Sequence, residues 1–220
     1  MENINFVLSG LGGQGILFMT KLLAQSAVNK GLKILVGETH GMAQRGGSVV
    51  SHLRVGDVKG SLVRAGSAHI LLALEENEAY RNIPFLAKGG KLYANAPKTS
   101  FPREEVRPYL EKIGVECRSI PASDIAAKLA APMSTNLALL GFFSAFQEGP
   151  ISYDELKETI AQVSPDQTPF YVSDPEMRNN GSTPLRHPMG LGNQDLKSFV
   201  NSRPGQKLGH EQYALASQTT

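Results

Sequence analysis

Three glycines near the N-terminus have the spacing of a phosphate-binding turn. Gly10, Gly12 and Gly15 form the pattern G-x-G-x-x-G between an apolar run, residues 4–9, and an amphipathic segment. The first glycine permits a tight turn, the second a close approach to the backbone, and the third the packing of a helix on a strand. Backbone N–H groups at the start of that helix would point at an anion. A nucleotide or phosphate site, a site for another ligand, and a turn that serves packing alone all remain open.

A second glycine-containing segment, residues 39–48, follows a predicted strand over 33–38. Its guanidinium group, on Arg45, has the planar fork that suits a phosphate or a carboxylate. The adjacent pair Gly46-Gly47 would let a partner or ligand approach the backbone. Because ligands of open α/β sheets bind outside the carboxyl ends of strands, we expect the two segments to meet at one edge of the sheet. The candidate cofactor-binding or subunit-interface residues are Gly10, Gly12, Gly13, Gln14, Gly15, Glu38, His40, Gln44, Arg45, Gly46, Gly47 and Ser48.

Glu38 raises one specific alternative. It ends the second predicted strand, where an acid binds the ribose in dinucleotide folds. With the three glycines it describes a stand-alone NAD-dependent oxidoreductase, although the rest of the chain is small for a substrate domain. Simpler interpretations also exist for the second segment, namely a surface salt bridge for Arg45 and a backbone hydrogen bond for His40.

The elements that would position these residues alternate between strand and helix. A strand over 4–9, a helix over 16–29 and a strand over 33–38 predict a βαβ unit with parallel strands and a right-handed crossover. Turn chemistry at Gly56-Asp57 suggests a hairpin after the strand at 49–56. About six strands and five or six helices up to residue 164 predict a three-layer α/β/α, Rossmann-like, mostly parallel sheet. The other predicted strands cover 68–74, 91–96 and 115–120.

The chain divides near residue 164. Residues 1–164 carry the alternating pattern and form the predicted domain. Residues 165–220 are rich in Pro, Gly, Asn, Gln, Ser and Thr and have no apolar period, so we predict an irregular, flexible tail. The sequence Ser152-x-x-Glu155 predicts a capping box at the last helix of the domain.

Composition excludes several classes of protein. The 22 basic and 20 acidic residues leave a net charge of +2, which argues against a nucleic-acid or membrane-surface binder. A single cysteine, Cys117, cannot form an intrachain disulfide or hold an iron–sulfur cluster, which needs about four thiolates. The five histidines show no metal-ligand spacing. The N-terminus lacks a signal-peptide pattern, and the longest apolar run, residues 137–143, is far below the ~18 residues of a membrane span. We therefore expect a cytoplasmic protein.

Other polar residues receive structural interpretations. The acidic run Glu75, Glu76 and Glu78 is explained by its favourable placement at the start of a helix. His52, on an alternating strand, is expected to lie on a sheet face. Cys117 is expected to be a small buried hydrophobe.

The segments GLGGQGILF, residues 10–18, and ETHGMAQRGGSVVSHLR, residues 38–54, resemble the γ-type subunits of the 2-oxoacid:ferredoxin oxidoreductases. The first segment is shared across that superfamily. The second, at residues 41–48, looks like the arylpyruvate type, the β subunits of indolepyruvate ferredoxin oxidoreductases. The resemblance covers residues 3–164, including Asn136 in the late helix, whereas the tail departs from the short amphipathic helix that usually closes the family.

The resemblance implies a reaction and a division of labour. The complex would decarboxylate an arylpyruvate oxidatively with coenzyme A, giving an aryl-acetyl-CoA, CO2 and reduced ferredoxin. Thiamine diphosphate, Mg²⁺ and 4Fe–4S clusters would lie in a large partner subunit. This chain would bind no cofactor alone and supply no catalytic residue, and its glycine segments would face the partner or the approach of CoA and substrate. Action on another 2-oxoacid and a docking role without catalysis remain alternatives.

Overall fold

The computed structural model describes residues 3–40, 46–97 and 100–164. These residues form one mixed sheet of six strands in the order β2-β3-β1-β4-β5-β6. The strands are β1 (Ile4–Leu11), β2 (Ile34–His40), β3 (Ser48–Val55), β4 (Ala68–Ala73), β5 (Leu86–Asn95) and β6 (Glu116–Ile120). The predicted tail, residues 165–220, lies outside the described residues.

Six α-helices are found in the described residues, in agreement with the sequence pattern. They are α1 (Ile16–Asn29), α2 (Glu76–Asn82), α3 (Arg107–Lys112), α4 (Ala122–Lys128), α5 (Thr135–Ala145) and α6 (Tyr153–Val163). The predicted capping box opens α6: the backbone N–H of Glu155 donates to Ser152 Oγ at 3.3 Å, and the backbone N–H of Ser152 donates to Glu155 Oε2 at 2.7 Å. None of these helices is long and apolar enough to cross a membrane.

The direction of the strands corrects one detail of the predicted βαβ unit. Strands β1, β4, β5 and β6 run parallel to one another, as expected. Strands β1 and β2 also run in the same direction, but β3 lies between them and is antiparallel to both. The sequence could not show this insertion, because the period-2 pattern of a strand carries no information on its neighbour.

The hairpin predicted after Gly56 is wrong. The residues after it, up to β4, contain no strand, and β3 instead forms a hairpin with the preceding strand β2. Gly56 closes the far end of that ladder, because its backbone N–H donates to Lys33 O at 2.8 Å. Its φ of +122° explains why a glycine stands there.

Apolar side chains cover both faces of the sheet and confirm the three-layer α/β/α class. One face packs on α1 and α5, with α6 packed against these two helices. Phe6 of β1 is edge-on to Phe143 of α5 at a ring distance of 6.0 Å. The other face packs on α2 and α3 through a cluster that includes Leu71, Ala79 and Leu110. Since both faces are buried, the central strands read as continuous apolar runs.

Two residues that had structural interpretations lie in these layers. His52 is buried beside the ring of Phe85, and its Nδ1 accepts a hydrogen bond from the backbone N–H of Val63 at 3.3 Å. Burial lowers the pKa of His52. Cys117 packs at the margin of the α2–α3 core, and burial, opposed by the charge of Arg107, raises the pKa of its thiol to about 12.

Candidate functional site

The two glycine segments meet at one edge of the sheet, as the sequence indicated. Antiparallel pairing sets Leu11, at the end of β1, opposite Ser48, at the start of β3. The segment that follows Leu11 therefore lies beside the segment that precedes Ser48. The backbone N–H of Gly12 donates to the backbone oxygen of Gly47 at 2.9 Å.

The first segment is a turn held by its own glutamine. The backbone N–H of Gln14 donates to Leu11 O at 3.1 Å, and Gln14 Oε1 accepts from the backbone N–H of Leu11 at 2.7 Å. Gly13 and Gly15 have φ values of +97° and +82°, a left-handed conformation that favours glycine. The turn is thus closed on both sides before α1 begins at Ile16.

Gly15 is also the point where α5 approaches the turn. A methyl group on Gly15 would overlap the side-chain nitrogen of Asn136, which is buried near the start of α5. This nitrogen donates to Gly15 O at 3.4 Å. The space that the absent side chain leaves is therefore filled by the protein itself.

This geometry does not favour the dinucleotide alternative. The N–H of Gly12, which would face a pyrophosphate in that alternative, is donated to Gly47. Glu38 is opposite Ser51 of β3, and Ser51 is opposite Leu8 of β1. Two strand spacings, about 10 Å, thus separate Glu38 from β1. An acid so placed is not beside the turn, where the ribose hydroxyl would be bound.

The acidic run at the start of α2 contacts both glycine segments. Glu75 accepts a hydrogen bond from Gln14 Nε2, and Glu78 accepts one from Ser48 Oγ at 2.6 Å. The carboxylate of Glu78 also pairs with Arg81, and its side chain is only 3% exposed. The three acids do lie at the start of a helix, as expected, but that placement alone does not explain their hydrogen bonds to the glycine segments. Sequence reasoning missed the contacts because the partners lie 30 or more residues away in the chain.

The third acid of the run, Glu76, binds a different loop. Arg103, in the loop after β5, donates from Nε to Glu76 Oε1 at 3.0 Å and from its backbone N–H to Tyr80 Oη at 2.9 Å. Its guanidinium lies 5.2 Å from the centre of the Tyr80 ring. Burial, followed by the hydrogen bond to Glu76, raises the pKa of Tyr80 against the opposing effect of Arg103. Helix α2 is therefore a common anchor for loops that follow β1, precede β3 and follow β5.

The structure describes only some of the remaining candidate residues. Gln44 and Arg45 lie outside the described residues. His40 is the last residue of β2, opposite Val49 of β3. Gly46 is exposed, with φ +71°. The binding roles assigned to these residues therefore stay predictions.

A second polar cluster, which the sequence did not indicate, lies on the α5 face of the sheet. Glu148, just beyond α5, accepts hydrogen bonds from Arg118 and Tyr93 and pairs with Lys91 Nζ at 2.6 Å. Arg118 Nη1 also donates to Tyr93 Oη at 2.6 Å, and its guanidinium lies 4.2 Å from the centre of the Phe146 ring. Burial alone would raise the pKa of Glu148, but the three donors outweigh it and hold that pKa below its ordinary value.

Across the described ranges, no three or more His, Cys, Asp or Glu side chains come together in a way that could hold a metal ion. The described site thus consists of backbone amides, two glycine segments, a glutamine, a serine and the carboxylates of α2. Such an arrangement can bind and orient a polar ligand or a partner's backbone.

Comparison with known proteins gives a consistent picture. Residues 5–172 match the family model described as pyruvate ferredoxin/flavodoxin oxidoreductase. The indolepyruvate oxidoreductase subunit IorB of Archaeoglobus fulgidus is 34% identical over 171 residues, covering 73% of this chain and 85% of the relative. The same subunit of Thermococcus kodakarensis is 35% identical over 181 residues, covering 76% and 90%.

Solved structures show the same fold at lower identity. The γ subunit of a keto/oxoacid ferredoxin oxidoreductase from Geobacter sulfurreducens matches with a TM-score of 0.58 at 16% identity, covering 91% of this chain and 99% of that one. The 2-oxoglutarate:ferredoxin oxidoreductase of Magnetococcus marinus, with 2-oxoglutarate, coenzyme A and succinyl-CoA bound, matches with a TM-score of 0.63 at 19% identity. That match covers 92% of this chain but only 32% of the longer one.

These relatives are subunits of multi-subunit oxidoreductases, which supports a subunit role here. The family match spans most of the chain, and the IorB relatives agree with it over most of their own length. The chain therefore belongs to the pyruvate ferredoxin/flavodoxin oxidoreductase family.

Proposed function

We propose that this chain is the smaller subunit of an indolepyruvate ferredoxin oxidoreductase that acts on arylpyruvates. The observation that carries the proposal is the agreement with IorB subunits from four organisms at 31–35% identity. The ketoisovalerate oxidoreductase subunit VorA is 27% identical and is covered over only 30% of its length. The complex would convert arylpyruvate and CoA into aryl-acetyl-CoA and CO2, with the released electrons reducing ferredoxin.

The cofactors of that reaction are assigned to a large partner subunit. A 4Fe–4S cluster needs about four thiolates, and this chain has one cysteine whose thiol resists ionisation. The donor set of this chain therefore does not fit a cluster. Thiamine diphosphate and Mg²⁺ are assigned to the same partner, where thiamine diphosphate would supply the carbanion chemistry. This chain contributes positioning and binding, and no covalent step is assigned to it.

The glycine edge is the surface that we assign to this role. Residues 12–15 and 46–48 bring backbone groups together without bulky side chains. Backbone exposed in this way suits close packing against a partner or close approach of CoA and the oxoacid. Arg45 would then bind a CoA phosphate or the oxoacid carboxylate, or it would order its loop for the partner subunit.

The substrate is tested by co-producing this chain with its large partner and comparing oxoacids. We expect CoA-dependent reduction of ferredoxin to be fastest with indolepyruvate and phenylpyruvate, and slow with pyruvate, 2-oxoglutarate and ketoisovalerate. The purified chain alone should show none of these activities. Preference for a small oxoacid, or activity of the chain without a partner, would overturn the proposal.

The role of Arg45 is tested by Arg45→Lys, because a lysine keeps the charge and loses the bidentate fork. Direct contact with CoA or the oxoacid predicts a KM raised roughly ten- to a hundredfold for that ligand. A role in ordering the loop predicts a weaker subunit association with unchanged KM values. Arg64→Lys, at an exposed site elsewhere, is the matched control. Control-like values for both readouts would exclude Arg45 from the site.

A further inference from the structure

We propose that Glu78 is a positioning residue that fixes the second glycine segment, residues 46–48, against the first through the side chain of Ser48. The contact itself concerns this chain alone. Its importance for catalysis rests on the proposed function, because the glycine edge is the surface assigned to the partner or to CoA and substrate.

The carboxylate of Glu78 is buried in an unusual way for a helix-start acid. Its side chain is 3% exposed, whereas that of its ion-pair partner Arg81 is 62% exposed. Ser48 Oγ donates to Glu78 Oε2 at 2.6 Å, a distance typical of a strong bond to a charged acceptor. The buried oxygen is thus directed at the end of the glycine segment, and the other oxygen is directed at the surface arginine.

The backbone around Glu78 is fixed as well. Its carbonyl oxygen accepts from Asn82 Nδ2 at 2.8 Å and from Ser9 Oγ at 3.4 Å. Both donor residues are buried, and Ser9 belongs to β1. The carboxylate therefore projects from a helix that is held to the central strand, and it can serve as a fixed reference point.

A stabilising role alone does not account for this burial. Desolvation of a buried charge offsets most of what its ion pair contributes, so a buried pair is weak evidence for stability. A solvated acid at the same helix position would keep the favourable interaction with the helix dipole. What the buried position adds is a directional bond to one particular hydroxyl group.

The glycine pair needs such an anchor. Glycine has more backbone freedom than any other residue, so Gly46-Gly47 cannot define their own conformation. Two described contacts fix them: the bond between Gly47 O and the N–H of Gly12, and the bond from Ser48 to Glu78. Without the second bond, Ser48 is held only by its pairing opposite Leu11 at the end of a ladder.

The same helix fixes the first segment in a matching way. Glu75 accepts from Gln14 Nε2. Glu75 and Glu78 are three residues apart, a spacing that places side chains near each other at a helix start. Both glycine segments are thereby hydrogen-bonded to the same short helix, which would keep the distance between them constant.

The test uses the full chain and four single variants. Ser48→Ala removes the hydroxyl group, Glu78→Gln removes the charge, and Ser48→Thr keeps the hydroxyl group as a rescue. Ser67→Ala is the matched control, since Ser67 Oγ makes a comparable 2.6 Å bond to Arg64 O away from the glycine edge. Amide hydrogen exchange at residues 46–50 is measured first, without the partner.

We expect exchange at residues 46–50 to be at least tenfold faster in Ser48→Ala than in Ser67→Ala. Glu78→Gln should lie between them, because a glutamine oxygen still accepts, and Ser48→Thr should match the wild type. Exchange in Ser48→Ala equal to that in Ser67→Ala would overturn the proposal whatever the function of the chain.

Kinetics of the reconstituted complex then separate the two proposals. A KM for CoA or the oxoacid raised roughly tenfold, or a subunit dissociation constant raised to that extent, with kcat retained, supports both. Faster exchange with wild-type KM and dissociation constant supports the positioning contact and overturns the assignment of ligand or partner to this edge.

Discussion

Two glutamates of this chain, Glu78 with a side chain 3% exposed and Glu148 with one 16% exposed, have opposite surroundings. Glu148 is bound by Lys91, Tyr93 and Arg118, which all lie within the regular strands β5 and β6. Glu78 is bound by a serine at the end of a glycine segment and by an exposed arginine. The structural effect of a carboxylate that is removed from solvent therefore differs between sites. It depends on whether the groups that it binds are already fixed by secondary structure.

The comparison assigns the two residues different consequences. The partners of Glu148 would remain in place without it, but Lys91 and Arg118 would keep only the half-exposed Glu116 as a counter-charge. Without Glu78, Ser48 would lose the hydrogen bond that fixes its position, and we expect little change elsewhere in the fold. We therefore expect Glu148 to matter chiefly for stability and Glu78 chiefly for function.

The largest effect is expected from Glu148→Ala. Removal of one member of a buried ion pair typically costs about 3–5 kcal/mol of unfolding free energy. Because Glu116 still pairs with both cations, the loss here should lie at the low end of that range. Urea denaturation measures the loss. The matched control is Glu116→Ala: this side chain pairs with the same Arg118 at 2.8 Å but is 50% exposed, and it should cost about 1 kcal/mol or less. Equal losses in the two variants would contradict the comparison.

The next effect is expected from Gly15→Ala, which links the two regions. Helix α5 begins beside Gly15, through Asn136, and ends just before Glu148. An alanine at Gly15 adds left-handed strain of about 1–2 kcal/mol and an overlap costing about 1–3 kcal/mol. Gly13→Ala has the same strain, but nothing lies within 4 Å of the added methyl group. A difference of about 1–3 kcal/mol between the two variants is expected in thermal or urea unfolding, and no difference would show that α5 moves aside freely.

A pH series gives a smaller, directional effect at Glu148. Its folded pKa lies below the ordinary 4.5, so the carboxylate contributes stability that is present above that value. This contribution is lost as the pH falls through the folded pKa. The difference in unfolding free energy between wild type and Glu148→Gln should therefore be largest near neutral pH and should shrink below about pH 4. A difference that grows in acid would reverse the sign that the structure assigns.

The smallest effect is expected from a chemical probe of strand β6. Cys117 is the only cysteine, and it lies next to Arg118 but on the opposite, α2–α3 face of the sheet, so it reports on how firmly β6 is held. With a pKa of about 12, its thiolate fraction at pH 8 is roughly one in ten thousand, so reaction with Ellman's reagent should be about a thousandfold slower than for a free thiol. Glu148→Ala should speed the reaction, and Glu116→Ala should not. Fast labelling of the wild-type chain would show that this region opens readily.

Local patterns predicted the elements well. The period of residues 16–29 predicted α1 with its observed bounds, and the apolar run over 4–9 predicted β1, which extends to Leu11. The capping box at Ser152 was found as predicted. These features depend on neighbours a few residues away. Their physics is contained in the local sequence.

Long-range contacts were beyond local patterns. The insertion of β3 between β1 and β2, the bond from Ser48 to Glu78, and the cluster around Glu148 all join segments that are distant in the chain. Lys91, Arg118 and Glu148 carry no shared motif. An ordinary surface charge and a buried one have the same letter in the sequence, and only the packing decides between them.

Strand β2 has a consequence for how this chain behaves outside any assembly. It is an end strand of the sheet, and two successive residues, Leu35 and Val36, are 36% and 38% exposed. Successive residues point to opposite faces, so apolar surface is offered on both sides of a backbone edge that pairs with no other strand among the described residues. Edge strands commonly carry lysine or proline that discourages pairing with other chains, but residues 34–37 hold neither. At high concentration, the chain produced by itself is therefore expected to aggregate through this edge before it unfolds.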